Sequence, residues 1–204
     1  MSPDGAAPPC APTLSDLLGE VRGCRACADL PLGPRPLVHA AADSRILIAS
    51  QAPGTKAHLS GRSFDDASGI RLRDWMGIDE ATFWDTRLVA IMPMGLCYPG
   101  RLPKGGDCPP RPNCAPLWRA RVLALMPSIE LTLLVGAYSQ AHVLGPGPVG
   151  ERALDFRAYL PRYFPLPHPS WRTGAWEART PRFRAEVIPA LRAHVRAIIE
   201  RARG

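Results

Sequence analysis

The sequence lacks a hydrophobic run that crosses a membrane, since none of its apolar stretches approaches the roughly 18 residues required. Its first residues, MSPDGAAPPCAPTLSD, have neither the basic segment nor the apolar core of a secretory signal. We therefore expect a cytoplasmic protein with no membrane partner. In that compartment thiols stay reduced, so the six cysteines indicate metal binding, catalysis or plain burial rather than disulfides.

Residues 44–66, SRILIASQAPGTKAHLSGRSFDD, also lack the two common phosphate-binding loops. The segment begins as a buried strand and then breaks into Pro, Gly and polar residues. It contains neither Gly-x-x-x-x-Gly-Lys-Ser/Thr nor Gly-x-Gly-x-x-Gly. The turn at residues 51–54 therefore needs a role other than holding a nucleotide phosphate.

The composition is that of a globular protein, with 46% hydrophobic and 21% charged residues among 204. This length predicts one domain over residues 13–204, large enough to bury its own core, after a disordered tail at residues 1–12. We expect a monomer. The 24 prolines predict long, stiff loops. The net charge of +7 is compatible with an anionic polymer as partner, but charge alone does not identify one.

Short apolar runs alternate with helical patterns along the chain. The runs RILIAS, TRLVAIMPMG, IELTLLV and RYFPLPHPS have strand length, and amphipathic segments lie between and after them. Such alternation predicts a parallel sheet with helices on both faces, where ligands bind at the carboxyl ends of the strands. Three strands end in unusual turns, QAPG, MPMG and HPS, so we expect these turns to meet at one pocket.

The helices are predicted from apolar spacing and from their end signals. Residues 13–24 fit a short helix with Thr13 or Ser15 as the N-cap, and SGIRLRDWMGI fits a second that stops at Gly77. APLWRARVLALMP and the residues after Gly136 fit two more. Residues 180–204 predict one long amphipathic helix, despite Pro189 within it.

Four cysteines have spacings that suit a thiolate metal site. Cys24 and Cys27 form a Cys-x-x-Cys pair, while Cys97 and Cys114 have 16 residues between them in a loop rich in Pro and Gly. Zinc and a four-iron cluster both fit four thiolates, and a set of buried thiols is the alternative. Cys108 lies between the loop cysteines and is an alternative ligand, whereas Cys10 lies in the tail.

These motifs together resemble the iron–sulfur branch of the uracil-DNA glycosylase superfamily, similar to its families 4 and 5. The resemblance rests on Cys24-x-x-Cys27, QAPG, SGRSF, CYPG through CAPLW, LTLLVGAYS and HPS, in family order from about residue 20 to residue 195. It implies a three-layer α/β/α sandwich with a central four-stranded parallel sheet. It also implies a four-iron, four-sulfur (4Fe-4S) cluster on Cys24, Cys27, Cys97 and Cys114, and cleavage of a damaged base from DNA.

The resemblance assigns roles around a base that has been flipped out of the duplex. Phe64 would supply the aromatic face on which the base stacks. His168 would donate a hydrogen bond to the leaving, anionic base. The backbone of Gln51, Ala52, Pro53 and Gly54 would bind a base carbonyl, with Pro53 and Gly54 shaping the turn. As alternatives, Phe64 is a core residue and His168 an ordinary loop histidine.

The chain departs from the family where a catalytic carboxylate is expected. The best-known members place Asp at the position of Ala52, and many iron–sulfur members have Glu at the position of Gln51. Asp65 and Asp66 are therefore the candidates for the missing carboxylate, with solvated loop acids or helix N-caps as the alternative. His58 lies in the same loop, near where a histidine of one covalently trapping relative attacks the sugar.

The second strand also departs, because the family's base-reading Asn is replaced by the segment AIMPMG. The backbone of residues 92–95, with Met94 lining the site, would have to read the base edge instead. Beyond the fourth strand, Ser170, Trp171 and Arg172 would contact DNA, with Trp171 as wedge and Arg172 as phosphate clamp, unless Trp171 packs under the loop. Loop charges near the expected DNA face are Arg62, Arg101, Lys104 and Arg111.

The sequence thus predicts a monofunctional DNA glycosylase of base excision repair that hydrolyses a deaminated base, foremost uracil, from single- or double-stranded DNA. A glycosylase for another modified base is one alternative. A nucleic-acid-binding module that kept the fold but lost catalysis is a second, motivated by the absent carboxylate and Asn. A zinc-stapled protein with no nucleic-acid role is a third.

Overall fold

A parallel sheet of four strands forms the centre of the protein. The structure is a computed structural model and describes residues 12–204. The strands are β1 (Ile46–Ala49), β2 (Val89–Ile91), β3 (Leu131–Val135) and β4 (Tyr163–Leu166), in the spatial order β2-β1-β3-β4. Each neighbouring pair is parallel, with Ile46 opposite Val89 and Leu131, and Thr132 opposite Tyr163. Except for Pro12, the predicted tail at residues 1–12 lies outside the described residues.

Helices precede, connect and follow the strands. The first helix, α1 (Leu14–Arg22), begins at Thr13, whose hydroxyl accepts from Asp16 N while the Asp16 carboxylate accepts from Thr13 N. This reciprocal cap satisfies two backbone donors that a helix start leaves free. The later helices are α2 (Thr55–Ser60), α3 (Ala67–Met76), α4 (Glu80–Trp84), α5 (Cys114–Ala124), α6 (Ala137–Leu144), α7 (Val149–Leu154), α8 (Thr173–Arg179) and α9 (Ile188–Arg203).

Alternating side chains of the strands build a core on each face of the sheet. Ile46 and Ile48 point to the face covered by α3, α7 and α9, where Trp75 and Phe183 pack edge to face. Leu47 points to the opposite face, covered by α1 and α5. Each such fully buried aliphatic side chain contributes about 1.5–3 kcal/mol. Helices on both faces confirm the predicted three-layer α/β/α sandwich with four parallel strands.

The C-terminal segment is helical from Pro181 to Arg203, which confirms the long helix that the sequence pattern predicts. Residues Phe183–Val187 form a π-helical turn, and α9 starts at Ile188 with Pro189 in its first turn. Ile188 N donates to Phe183 O, so helical hydrogen bonding continues into α9, and Pro189, which has no N–H, directly follows the π-helical turn. None of the helices within residues 12–204 combines the length and apolar content that a membrane crossing requires.

Candidate active site and cysteine pocket

The carboxyl ends of the strands open onto a cavity of about 710 Å³. Its walls come from the turn after β1, the loop between α2 and α3, the loop before α5 and the segment after β4. Most of the site residues chosen from the sequence line it: Gln51, Ala52, Pro53, Gly54, Phe64, Asp66, His168, Ser170, Trp171 and Arg172. Asp65 and Met94 are not in its lining.

The turn after β1 is tied to the chain that follows β2. Met94 N donates to Ser50 O at 2.8 Å, and Gly95 N donates to Gln51 O at 2.9 Å. These bonds continue the parallel pairing beyond the strands themselves. They hold residues 51–54 rigidly at the cavity wall, where Pro53 is buried.

The same bonds limit how residues 92–95 can read a base. Met92 N donates to Ile48 O at 3.0 Å, Pro93 has no N–H, and the amides of Met94 and Gly95 are occupied as described. Met94 is 4% exposed and packs with Ala49 and Leu134 in a small apolar cluster. Only backbone carbonyls of this segment therefore remain as polar groups for a ligand.

The side chain of Gln51 holds the loop that carries Cys97 and Cys114. Its amide Nε2 donates to Cys108 O at 2.9 Å and lies 3.5 Å from Asp107 O. Gln51 thus joins the turn after β1 to the loop across the cavity. This contact uses the amide for positioning rather than for orienting water.

Asp107 lies in the cavity lining and was missed by the sequence analysis. Its Oδ2 lies 3.5 Å from where a Cβ on Gly54 would sit, so the carboxylate faces the turn after β1. Desolvation raises the pKa of Asp107, Asp66 raises it further, and Arg101 opposes both effects. Among the described residues, no hydrogen bond contributes to its pKa. The carboxylate is therefore available to a ligand or a water molecule.

A tight turn returns the loop to the cavity at Asp107. Arg101 and Asp107 form an isolated antiparallel bridge, and Leu102 N donates to Gly106 O at 2.9 Å. Gly105 and Gly106 have φ of +85° and +91°, which favours glycine at both positions. The Gly-Gly-Asp sequence was the available signal, since paired glycines mark a reversal of the chain.

Phe64 adopts a backbone conformation that is rare for a bulky side chain, with φ of +61°. The segment is held by Gly69, where an added Cβ would lie only 1.7 Å from Phe64 O. The Phe64 ring contacts Phe83 edge to face, with ring centroids 6.1 Å apart. Strain of this kind persists only where the surroundings enforce it, and it is concentrated at functional sites.

The two acidic residues after Phe64 occupy different positions. Asp66 lines the cavity and also caps α3, because its Oδ1 accepts from Gly69 N at 3.0 Å. The N-cap alternative therefore describes Asp66. Asp65 is half-buried beside the cavity but outside its lining.

His168 lies just beyond β4, with its backbone and side chain both constrained. Its carbonyl accepts from Ser170 N at 2.8 Å and from the Thr173 hydroxyl. Gly136, with φ of +85°, makes room for it, since a Cβ there would lie 3.3 Å from His168 Cβ. Burial lowers the pKa of His168, and Asp66 partly opposes that shift. At neutral pH the ring is therefore neutral and has one N–H to donate.

The segment after His168 projects an aromatic ring and a cation at the cavity rim. Trp171 is 80% exposed, and the Arg172 guanidinium lies 5.5 Å from its ring centroid. Ser170 O accepts from Arg71 at 3.0 Å, which anchors the segment to α3. Exposure of this size contradicts the alternative in which Trp171 packs under the loop.

Loop charges fall into different environments. Arg101 joins the cavity lining, whereas Arg62 stacks over the Trp84 ring at 3.5 Å. His58 is 7% exposed, faces the Tyr98 ring and is not in the cavity lining. The position of His58 therefore gives no support to an attack on a sugar bound in this cavity.

A second pocket brings together Cys24, Cys27, Cys97 and Cys114. Cys24 follows α1 and Cys114 begins α5, and the two helices pack in the same core. The pKa of Cys97 is raised to about 11, chiefly by burial and also by the other three cysteines, while a hydrogen bond from the Arg35 amide partly opposes the shift. Leu96 N donates to the Cys114 sulfur at 3.3 Å. Cys108 is not in this lining, and its carbonyl is bound by Gln51.

The geometry of this cysteine pocket is not that of a single-ion site. Within residues 12–204, no group of three or more His, Cys, Asp or Glu side chains is arranged to hold one metal ion. Zinc at about 2.3 Å from each sulfur would require the sulfurs to lie about 3.8 Å apart. Arg111 also lines the pocket, and its buried Nε has no hydrogen-bond partner among the described residues.

Fold and cavity together define a parallel α/β protein in which Phe64 and His168 line one cavity at the carboxyl ends of the strands. The sequence model of the uracil DNA glycosylase superfamily matches residues 38–192, more than half of the chain. The protein belongs to this superfamily. A solution NMR structure from Methanosarcina acetivorans, provisionally named a uracil DNA glycosylase, is 14% identical and has a TM-score of 0.43. The match covers 78% of this chain and 97% of that one.

Proposed function

We propose that this protein is a monofunctional DNA glycosylase that flips a deaminated base, foremost uracil, out of DNA and hydrolyses it from the deoxyribose. The observation that supports this most is the cavity shared by Phe64, His168 and Asp107, since these groups come from three separate segments. Its volume is in the range of sites that hold a nucleotide-sized ligand. Base excision repair is the process that this chemistry would serve.

Phe64 and His168 would act on the flipped base. Phe64 offers the ring on which the base stacks, at a position fixed by its strained backbone. Cleavage of the N-glycosidic bond leaves negative charge on the base, and His168 would donate its N–H to a base oxygen. A neutral imidazole is able to do this, because the one N–H that it keeps donates a hydrogen bond to the developing negative charge.

Asp107 would act on the sugar side of the bond. Its carboxylate faces Gly54, close to the turn position where Ala52 stands in place of the family's usual Asp. A carboxylate there orients the attacking water, accepts its proton and stabilises positive charge on the sugar. Asp66 uses one oxygen to cap α3. Its negative charge would help to stabilise the positive charge on the sugar, and it also acts on His168, whose pKa it raises.

The rim would hold the DNA. Trp171 is positioned to enter the space that the flipped nucleotide leaves, and Arg172 and Arg101 to contact phosphates. Gln51 supports the site by fixing the Asp107–Cys108 backbone.

Excision of a base other than uracil is the second candidate function. It is favoured by the wall at residues 92–95, where no side-chain amide is present and the backbone N–H groups are occupied. Uracil presents both acceptors and a donor on its pairing edge, and carbonyl oxygens alone satisfy only the donor. Hypoxanthine and xanthine are therefore tested beside uracil.

The cysteine pocket would hold a 4Fe-4S cluster, as the resemblance to the iron–sulfur branch implies. Four cysteines share the pocket, and the unpartnered Arg111 Nε and the Leu96 N–H are placed to offset the negative charge of thiolates. When bound, the cluster would serve as a structural brace. Cys24 and Cys27 would fix the end of α1, and Cys97 and Cys114 would fix the loop that carries Asp107. A broad absorbance at about 400 nm would identify iron–sulfur thiolate ligation. If pure, iron-replete protein lacks this absorbance, the cluster is excluded.

The function is tested with oligonucleotides that contain uracil, hypoxanthine, xanthine or only normal bases, followed by alkali. Strand scission at one modified base, with none at normal bases, shows an abasic product. We expect His168→Ala to lose scission and keep its fold, and His194→Ala, a histidine on α9 outside the cavity, to retain both. Tight binding without scission on every substrate would refute the glycosylase and support a binding module.

A further inference from the structure

A second large cavity, of about 670 Å³, lies between α5 and α6 on the face of the sheet that α1 and α5 cover. Its floor is formed by Leu47, Thr132 and Tyr163, from the middle and the amino-terminal ends of the strands. It shares no lining residue with the catalytic cavity or with the cysteine pocket. The proposed glycosylase chemistry therefore makes no use of it.

Arg119 lies in the wall of this α5–α6 cavity and is only 6% exposed. Its guanidinium donates to Met92 O at 3.2 Å, and among the described residues it forms no ion pair with a carboxylate. Burial lowers the pKa of Arg119 to about 10, an effect that only Tyr163 opposes. A buried cation without a counter-charge is costly, and a guanidinium has five N–H donors of which the protein engages few.

Arg162 adds a second positive charge to the lining of this cavity. Arg162 lies exposed at the rim. Burial lowers the pKa of His142, and the nearby positive charge of Arg119 lowers it as well. The carboxylate in the lining, Glu130, is already paired with Arg45 at 3.5 Å and with Arg201 at 2.6 Å. The charge on Arg119 is therefore left for an anion from outside the chain.

The remaining walls are apolar and aromatic. They are formed by methyl and methylene groups at the end of α5 and in α6 and by the Tyr163 ring: Ala120, Leu123, Met126, Val143 and Tyr163. A small inorganic anion would fill only a fraction of this volume. An anion carried on a hydrophobic body would satisfy both the cation and the apolar walls.

We propose that the α5–α6 cavity binds a phosphate monoester with an aromatic or apolar body, and that Arg119 holds the phosphate. A planar guanidinium matches two phosphate oxygens with parallel N–H bonds, and a dianion suits a site with Arg162 at its rim. The ring of the ligand would lie among Leu123, Met126 and Tyr163. This binding site is independent of the proposed cleavage reaction.

Calorimetric titration with phenyl phosphate tests the proposal directly. Three comparison ligands separate the contributions. Inorganic phosphate lacks the aromatic ring, benzoate carries a carboxylate in place of the phosphate, and phenol lacks the negative charge. We expect saturable binding of phenyl phosphate, weaker binding of benzoate and phosphate, and none of phenol. Arg119→Met should weaken phenyl phosphate binding about 10- to 100-fold, the loss of a charge-assisted pair.

Arg121→Met is the matched control, because Arg121 lies on the same helix but is exposed and paired with Glu20. It should leave binding unchanged. Thermal melting of Arg119→Met without ligand checks its fold, and removal of an unpaired buried charge should leave the Tm equal or higher. Binding should also persist in the presence of a saturating oligonucleotide. Absence of binding by the wild type, equal affinity in a folded Arg119→Met, or full competition by the oligonucleotide would overturn the proposal.

Discussion

Replacement of Asp107 by Asn tests the source of the catalytic carboxylate. The amide keeps the shape of the side chain but can neither accept the proton of a water molecule nor supply negative charge. Since general base catalysis contributes about 10²- to 10⁴-fold, we expect single-turnover excision to slow by that factor. Binding of substrate DNA should be unchanged or slightly tighter, because one negative charge near the phosphates is lost.

The pH profile separates a catalytic role of Asp107 from a structural one. Only the ionised carboxylate accepts a proton, so the wild-type rate should rise as pH increases through the raised pKa of Asp107. Asp107→Asn should lose this acidic limb. Asp65→Asn is the control, since Asp65 lies outside the cavity lining and its variant should keep both the rate and the limb.

Stability provides a second readout with a defined sign. Because the pKa of Asp107 is raised above its ordinary value of 3.8, the folded state binds this proton more tightly than the unfolded chain. The contribution of Asp107 to stability is therefore fully present at low pH, and it is lost as pH rises through the pKa of Asp107 in the folded protein. Asp107→Asn removes that decline, so its Tm should equal or exceed the wild-type Tm at pH 7. A full excision rate with an intact acidic limb in Asp107→Asn would refute the assignment and leave Asp66 as the candidate.

Three further predictions concern the rim, the cavity wall and the cysteines. Trp171→Ala should weaken binding of substrate DNA by about 1–3 kcal/mol, the contribution of an aromatic stacking contact. The Tm should not change, because the ring is 80% exposed. Unchanged affinity for DNA would show that Trp171 is not a wedge. Gly69→Ala should lower stability by about 1–3 kcal/mol or more and abolish excision, since its Cβ would lie 1.7 Å from Phe64 O. Gly19→Ala, in α1 with no neighbour within 4 Å, should instead stabilise by about 1 kcal/mol, and equal effects of the two changes in thermal melts would contradict this reasoning. Cys97→Ser should lower the Tm, the absorbance at about 400 nm and the rate of excision together. Loss of the absorbance with a full excision rate would disprove the role of the cluster as a structural brace.

Local signals in the chain were sufficient for the strands and for several helix ends. The apolar run that became β1, the Thr13 cap and the Gly77 stop were all predicted, because each depends on residues within a few positions. The long C-terminal helix was predicted as well, but its π-helical turn at Phe183–Val187 was not, since an apolar helical period fits both kinds of turn. The turns QAPG, MPMG and HPS were correctly expected to meet at one cavity, the second through Pro93, because parallel strands align their carboxyl ends.

The positions of the acidic residues depended on long-range packing. Asp65 and Asp66 were equivalent in the sequence, and the start of α3 at Ala67 places only Asp66 in the cavity lining. Asp107 lies 53 residues after Gly54 in the chain, yet the bonds from Gln51 to the Asp107–Cys108 backbone bring it to the same turn. Nothing in the local sequence marks such a contact, because it depends on how the loop closes over the sheet.

The sequence by itself determined the strand and helix alternation, the turn residues of the site and the four cysteines, since these follow from short-range backbone preferences and residue chemistry. Only the tertiary structure decided which carboxylates face the cavity, that the N–H groups of Met92, Met94 and Gly95 are occupied, and that Arg119 lies buried beside a second cavity. The physical reason is that desolvation and hydrogen-bond pairing are set by neighbours that are distant in the chain and adjacent only after folding.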